Sequence, residues 1–145
     1  MRTLLLCVLA LCSHVMSMTA QVTGRIEYPY RADYEDQLVL PIGDKGLVIQ
    51  SFAKDSKAGK RYFKTEFYST MMNPVSTDSM LIDKGMYYYS NIVDNGVLYT
   101  VLRESDGTFM IVAFNATTHK ITVTDGEYTR KGTMRNLIIS NDNVV

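Results

Sequence analysis

His119 is the first place to look for chemistry, because the 145-residue chain has only two histidines. The other, His14, lies in the leader described below. A zinc centre needs several His, Cys or carboxylate ligands, and both cysteines, Cys7 and Cys12, also fall in the leader. Without a Gly-x-Ser-x-Gly elbow to present a nucleophile, His119 reads as an exposed turn residue, and no catalytic residue, metal site or cofactor is expected. Acidic residues recur instead. Asp33, Glu35 and Asp36 cluster before the first strand, and Asp44, Asp94 and Asp142 return near later turns. Oxygen ligands on one rim suit calcium, but Asp beside Lys-Gly or Asn-Gly is ordinary turn chemistry, and no spaced Asp-x-Asp-x-Asp-Gly loop is present.

The candidate contact surface is therefore aromatic and sulfur-bearing. Tyr87, Tyr88 and Tyr89 are consecutive, with Tyr99 nearby; a tyrosine offers an apolar face and a polar hydroxyl that suit a sugar ring or a peptide. Packing is the plainer account, since tyrosine favours strands. Met71-Met72 is an apolar pair in a turn, which marks either a contact surface or a covered one.

These residues sit in a repeat. Laid over each other without a gap, 67–97 and 114–144 agree at Phe67/Phe114, Thr70/Thr117, Thr77/Thr124, Asp78/Asp125, Lys84/Lys131, Gly85/Gly132, Ile92/Ile139 and Val97/Val144. A fixed period of this size marks a repeat architecture. The repeat extends backward, aligning Asp44-Lys45-Gly46-Leu47 with Asp94-Asn95-Gly96-Val97, and places the three extra residues of the first copy in a loop over 55–61. No stretch after residue 31 has the helical i, i+3, i+4, i+7 pattern, while β-branched and aromatic runs alternate with turn signals. The fold class expected is all-β, with four antiparallel strands per copy. The first strand covers 37–42, 87–93 and 134–140; the second 47–53 and 97–104, with 144–145 opening a third; the third 61–69 and 108–115; the fourth 75–82 and 120–128. Asn95-Gly96 is a strong hairpin signal, and Lys45-Gly46 is its expected counterpart. The second and third strands are apolar on both faces and should be covered on both; the fourth alternates as an outer strand does.

Such a unit resembles a β-propeller blade of the broad kelch and WD40-like kind, and the turn around Asn115-Ala116-Thr117-Thr118-His119-Lys120 is similar to the one between the third and fourth strands of many blades. It also resembles exported propeller-type proteins of Gram-negative anaerobes. The kelch glycine pair and tryptophan, and the WD40 Trp-Asp and Gly-His signatures, are absent. The resemblance implies binding, scaffolding or a non-catalytic partner domain, with the first strand beside a central channel and alternate tyrosines facing it.

Composition bounds the rest. Hydrophobic residues make up 46% of the chain and Lys plus Arg equal Asp plus Glu, 15 each, which fits a globular protein and gives no electrostatic reason to bind nucleic acid. Arg2, the apolar run 4–12 and the small, polar tail 13–20 have the layout of a secretory signal peptide, shorter than the about 20 apolar residues of a membrane span. Cleavage is expected after Ala20, with Ser17 the rival. The organisation expected is a leader over 1–20, a lead-in over 21–32 containing Tyr28-Pro29-Tyr30, then propeller-like repeats over 33–83, 84–130 and 131–145. Four blades would need roughly 190 residues at this period, so the chain is expected to be the amino-terminal piece of a longer protein, or one completed by self-association. The function expected is an exported binding or scaffolding module, periplasmic, on the cell surface or secreted, for a protein, peptide or carbohydrate partner; the alternative is the leading portion of a larger exported hydrolase. Two modification signals complete the sequence: the sequon Asn115-Ala116-Thr117 and Asp78-Ser79-Met80, which resembles an acceptor for O-glycosylation in exported proteins.

Overall fold

The computed structural model describes residue 27, residues 32–127, and the pairs 139–140 and 143–144. The leader, most of the lead-in and most of the third copy lie outside the described residues. The described chain is all-β. Strands β1 (Tyr34–Pro41), β2 (Leu47–Lys57), β3 (Lys60–Tyr68) and β4 (Pro74–Asp83) form one antiparallel sheet in sequential order. Strands β5 (Tyr87–Asp94), β6 (Val97–Arg103), β7 (Thr108–Asn115) and β8 (Lys120–Glu127) form a second with the same topology. A short hairpin, β9 (Ile139–Ser140) with β10 (Asn143–Val144), falls in the third copy. Repeat boundaries and sheet boundaries therefore coincide.

Two connections differ from the sequence expectation. Lys45-Gly46 is not a two-residue hairpin. A 3₁₀ turn over Gly43–Lys45 fills a longer connection, closed by Ile42 N–H donating to Gly46 O at 2.8 Å. Asn95-Gly96 does make the expected tight turn, with φ of 46° and 76°; both values are left-handed, as a type I′ turn requires. Residues 55–61 do not form a loop. Strand β2 runs on to Lys57, turns at Ala58-Gly59 (φ 52° and 75°) and returns as β3. The extra residues are taken up by an irregularity between Phe52 and Ser56, where Phe52 faces Phe63 and Ser56 faces Arg61, leaving three residues opposite Tyr62 alone. A bulge of this kind bends the strand and increases its twist.

Burial explains the layering. Every residue of β3 from Phe63 to Phe67 is buried, as expected of a third strand covered on both faces, whereas its counterpart β7 is buried only at Val112 and Phe114; β4 and β8 are largely exposed. Successive side chains alternate between faces, and the inward face carries the core. One cluster holds Ile42, Val48 and Phe67 of the first sheet with Leu98, Phe114 and Ala116 of the second. The other holds Phe52, Phe63, Ile82 and Met86 with Leu102 and Val112. Gln50, Thr65 and Thr100 of β2, β3 and β6 lie between the residues that these strands give to the two clusters, and Thr100 Oγ1 donates to Gln50 Oε1 at 2.9 Å.

Corresponding residues of the two copies thus meet each other. Val48 and Leu98 share a cluster, Gln50 bonds Thr100, Phe52 and Leu102 share the other cluster, and the Phe67 and Phe114 rings lie 5.3 Å apart. This is same-face packing, as in a two-layer sandwich with approximate two-fold symmetry. Radial stacking of blades would set 48, 50 and 52 against the opposite face, 97, 99 and 101. The link between the sheets is consistent with the sandwich. Three residues, 84–86, join β4 to β5. They reach about 14 Å when extended, enough to cross about 10 Å between layers but not also the about 14 Å to the far edge of a four-stranded sheet. So β4 and β5 face each other, as the packing of Met80, Ile82 and Tyr88 in one cluster requires. The four-stranded antiparallel meander is present, and the described sheets form neither a closed ring nor a solenoid.

Candidate functional site

The long β2–β3 hairpin creates the concavity of interest. Because β2 is bulged, its outer end leaves the plane of the sheet, and a groove of about 610 Å³ opens there. Tyr34 pairs with Ala53 and Tyr62 with Leu81; all four line the groove on the face turned away from the second sheet. Tyr62 is 50% exposed and Leu81 59%. An aromatic and a large aliphatic side chain therefore stand side by side in water, on a strand whose inward positions are already filled by Phe63 and Phe67. Exposed apolar pairs inside a concave wall are what binding surfaces present.

The rim is charged. Asp33, Asp55, Lys57 and Lys60 line it, with Arg61 at its base. Two of the cations are engaged: Lys60 Nζ is 2.7 Å from Asp83 Oδ1 and Arg61 Nη1 2.6 Å from Glu35 Oε1. Arg61 also donates from Nη2 to Met86 O, and its guanidinium lies 4.1 Å from the Phe52 ring centroid. One buried arginine thereby ties β1, β2 and the link between the sheets to the floor of the groove. Asp33 is held beside the bulge by its carbonyl, which accepts from Lys54 N–H at 2.9 Å.

Farther along the same face Lys64 and Glu66 form an ion pair of 2.8 Å with side chains only 9% and 8% exposed. Lys64 Nζ also sits 5.3 Å from the Tyr34 ring centroid, so the ring that lines the groove covers the pair. Ser51 is directly opposite Lys64. The Lys64 ammonium is engaged by Glu66, and no hydrogen bond joins it to Ser51 among the described residues. Among the described residues no group of three or more His, Cys, Asp or Glu is placed to hold a metal ion.

The tyrosines singled out in the sequence do not form one surface. Strand β5 is an edge of its sheet, and the described sheets close no ring around a channel. Tyr88 points inward against the second cluster and its hydroxyl accepts from Asn91 Nδ2; burial raises its phenol above the ordinary value. Tyr87 is an exposed edge residue. Tyr89 falls at a register shift and carries the Arg103 guanidinium 5.2 Å from its ring centroid. Tyr99 is half-buried on the outer face of the second sheet. Met71, 79% exposed, and Met72, at φ 61°, sit in the β3–β4 turn of the first sheet. His119 is exposed in the β7–β8 turn, at φ 57°, with its ring 5.4 Å from Phe67. Asn115 of the sequon is occupied locally, its Oδ1 accepting from the N–H groups of Thr117 and Thr118 at 2.9 Å each.

Of the acidic residues, Glu35 serves Arg61, Asp36 sits at a bulge with φ 49°, and Asp94 accepts from the Asn95 side chain at 3.1 Å. Of the described acidic residues that the sequence singles out, Asp33 alone lines the groove, where Asp55 joins it. Tyr34, Tyr62 and Leu81 were not singled out. The available signal was Tyr62 on the charged face of Arg61-Tyr62-Phe63-Lys64-Thr65-Glu66-Phe67, an aromatic where the alternation calls for a polar residue. No helix among the described residues is long and apolar enough to cross a membrane. No family model, curated protein or solved structure matches the chain.

Proposed function

We propose that this chain is an exported, non-catalytic binding module that takes its ligand in the tyrosine-walled groove on the outer face of the first sheet. Export rests on the leader-like layout of residues 1–20. Binding rests on one observation above all: Tyr62 and Leu81 are paired across strands, at least half exposed, inside a groove large enough for a side chain or a sugar ring. Of the propeller resemblance this reading retains the four-stranded meander as the repeating unit and moves recognition from a central channel to a sheet face. A peptide or a carbohydrate is the partner class, because both offer apolar edges beside hydrogen-bonding groups.

The test is a nuclear magnetic resonance titration of the labelled protein against short peptides and oligosaccharides. Shifts should concentrate at Tyr34, Tyr62 and Leu81, and the double variant Tyr62→Ala/Leu81→Ala should abolish them while keeping the spectrum folded. Shifts confined to Tyr87 and Tyr99, or none from either ligand class, would refute the assignment.

A further inference from the structure

We infer that the groove selects a positively charged side chain, an arginine or lysine of a peptide partner, over a neutral group of the same shape. The inference rests on the binding role proposed above. It is carried by which charges around the groove are free. Lys60 is neutralised by Asp83 and Arg61 by Glu35. Asp33 and Asp55 have no ion pair among the described residues, and Lys57 is the one lining cation without one. The two free carboxylates belong together, because the hydrogen bond from Lys54 N–H to Asp33 O sets Asp33 alongside the residue preceding Asp55. Lys57 lies two residues nearer the hairpin tip, where it pairs with Lys60. The inner end of the groove is thus acidic.

The aromatic wall supports the same ligand. Among the described residues three cations are held over ring faces: Arg61 over Phe52, Lys64 over Tyr34 and Arg103 over Tyr89. Tyr62, in the groove and half exposed, carries none of the described cations. A guanidinium entering beside Tyr62 would gain the ring face and a carboxylate together, and a planar fork suits both. Its aliphatic stem would cover Leu81 and Ala53, as long basic side chains do on apolar surfaces.

N-acetyl-arginine amide and N-acetyl-citrulline amide differ in charge and hardly in shape, so they separate charge from fit. The arginine amide should shift the groove resonances and bind about tenfold tighter than the citrulline amide. Asp33→Asn/Asp55→Asn should bring the two together, Tyr62→Leu should weaken the arginine amide alone, and added salt should weaken it progressively. Equal affinity of the two amides in the groove would overturn the charge selectivity and leave the groove as the binding site. A preference for arginine that survives Asp33→Asn/Asp55→Asn would overturn the role of the carboxylates. Absence of shifts from both amides, while a neutral oligosaccharide shifts Tyr62, would overturn the inference and favour a sugar ligand.

Discussion

Gln50 and Thr100 offer the most direct test of how the two copies are joined. They are 1% and 0% exposed, and the hydroxyl of one donates to the amide oxygen of the other across the layers. Gln50 Nε2 already lacks a partner among the described residues. Thr100→Val keeps the shape but removes the remaining bond, so the amide is buried without a partner; the expected cost is about 1–3 kcal/mol. Gln50→Leu strands the Thr100 hydroxyl but relieves the unpaired Nε2, and should cost less, about 1 kcal/mol or below. The double variant removes both polar groups at once. It should lie close to the wild type, giving a coupling of about 1–2 kcal/mol in the sense that the pair of changes is milder than their sum. Urea unfolding of the four proteins, followed by circular dichroism and intrinsic tyrosine fluorescence, measures this if both probes report one transition. If the copies stacked through opposite faces, Gln50 and Thr100 would lie in different interfaces and the two changes would add. Additivity within about 0.5 kcal/mol would therefore refute same-face packing.

Three further outcomes follow from the geometry. Gly46, at φ 132°, has no room for a side chain, because a Cβ there would lie 2.0 Å from the Tyr68 carbonyl oxygen; Gly46→Ala should lose at least about 2 kcal/mol, read as a lower melting temperature. Ala58 occupies the left-handed region at φ 52° in the β2–β3 turn, so Ala58→Asn should raise stability by roughly 0.5–1 kcal/mol in the same assay. Burial raises the Tyr88 phenol above 10.0. The folded form then resists ionisation more than the unfolded form, so this contribution is complete below the unfolded value and is lost as pH rises through the folded one. Tyr88→Phe should make the fall in the urea midpoint as pH rises above about 10 shallower, and should remove a late tyrosinate absorbance step that the wild type shows.

The strands were legible because short apolar runs end at clear turn residues: Phe109 to Phe114 is apolar at every position, and β7 begins and ends at the expected residues. The tight turn at Asn95-Gly96 was legible for the same local reason. Ala58-Gly59 was not, because alanine is a poor occupant of a left-handed position and gives no turn signal; the surrounding hairpin imposes it. The mode of packing was partly written in the link. Four residues between the expected ends of strands at Ile82 and Tyr87 are too few to carry the chain across a whole sheet, a constraint of reach rather than composition. The groove was hidden because it arises from a register irregularity, which no residue type announces, and because Tyr34 and Tyr62 are 28 positions apart in the sequence. The tyrosine run drew attention by its density, yet consecutive residues on a strand point to opposite sides, and the register shift at Tyr89 breaks the alternation that would have set it beside Tyr87.

Mating through one shared side makes the copies behave like playing cards laid front to front. A third card placed on such a pair meets only backs, so it gains little until a fourth arrives with its own front to offer. Proteins assembled from this unit should therefore grow in stability by twos, and lengthening by a single unit should yield either a weakly held passenger or a chain that seeks its missing half in another molecule.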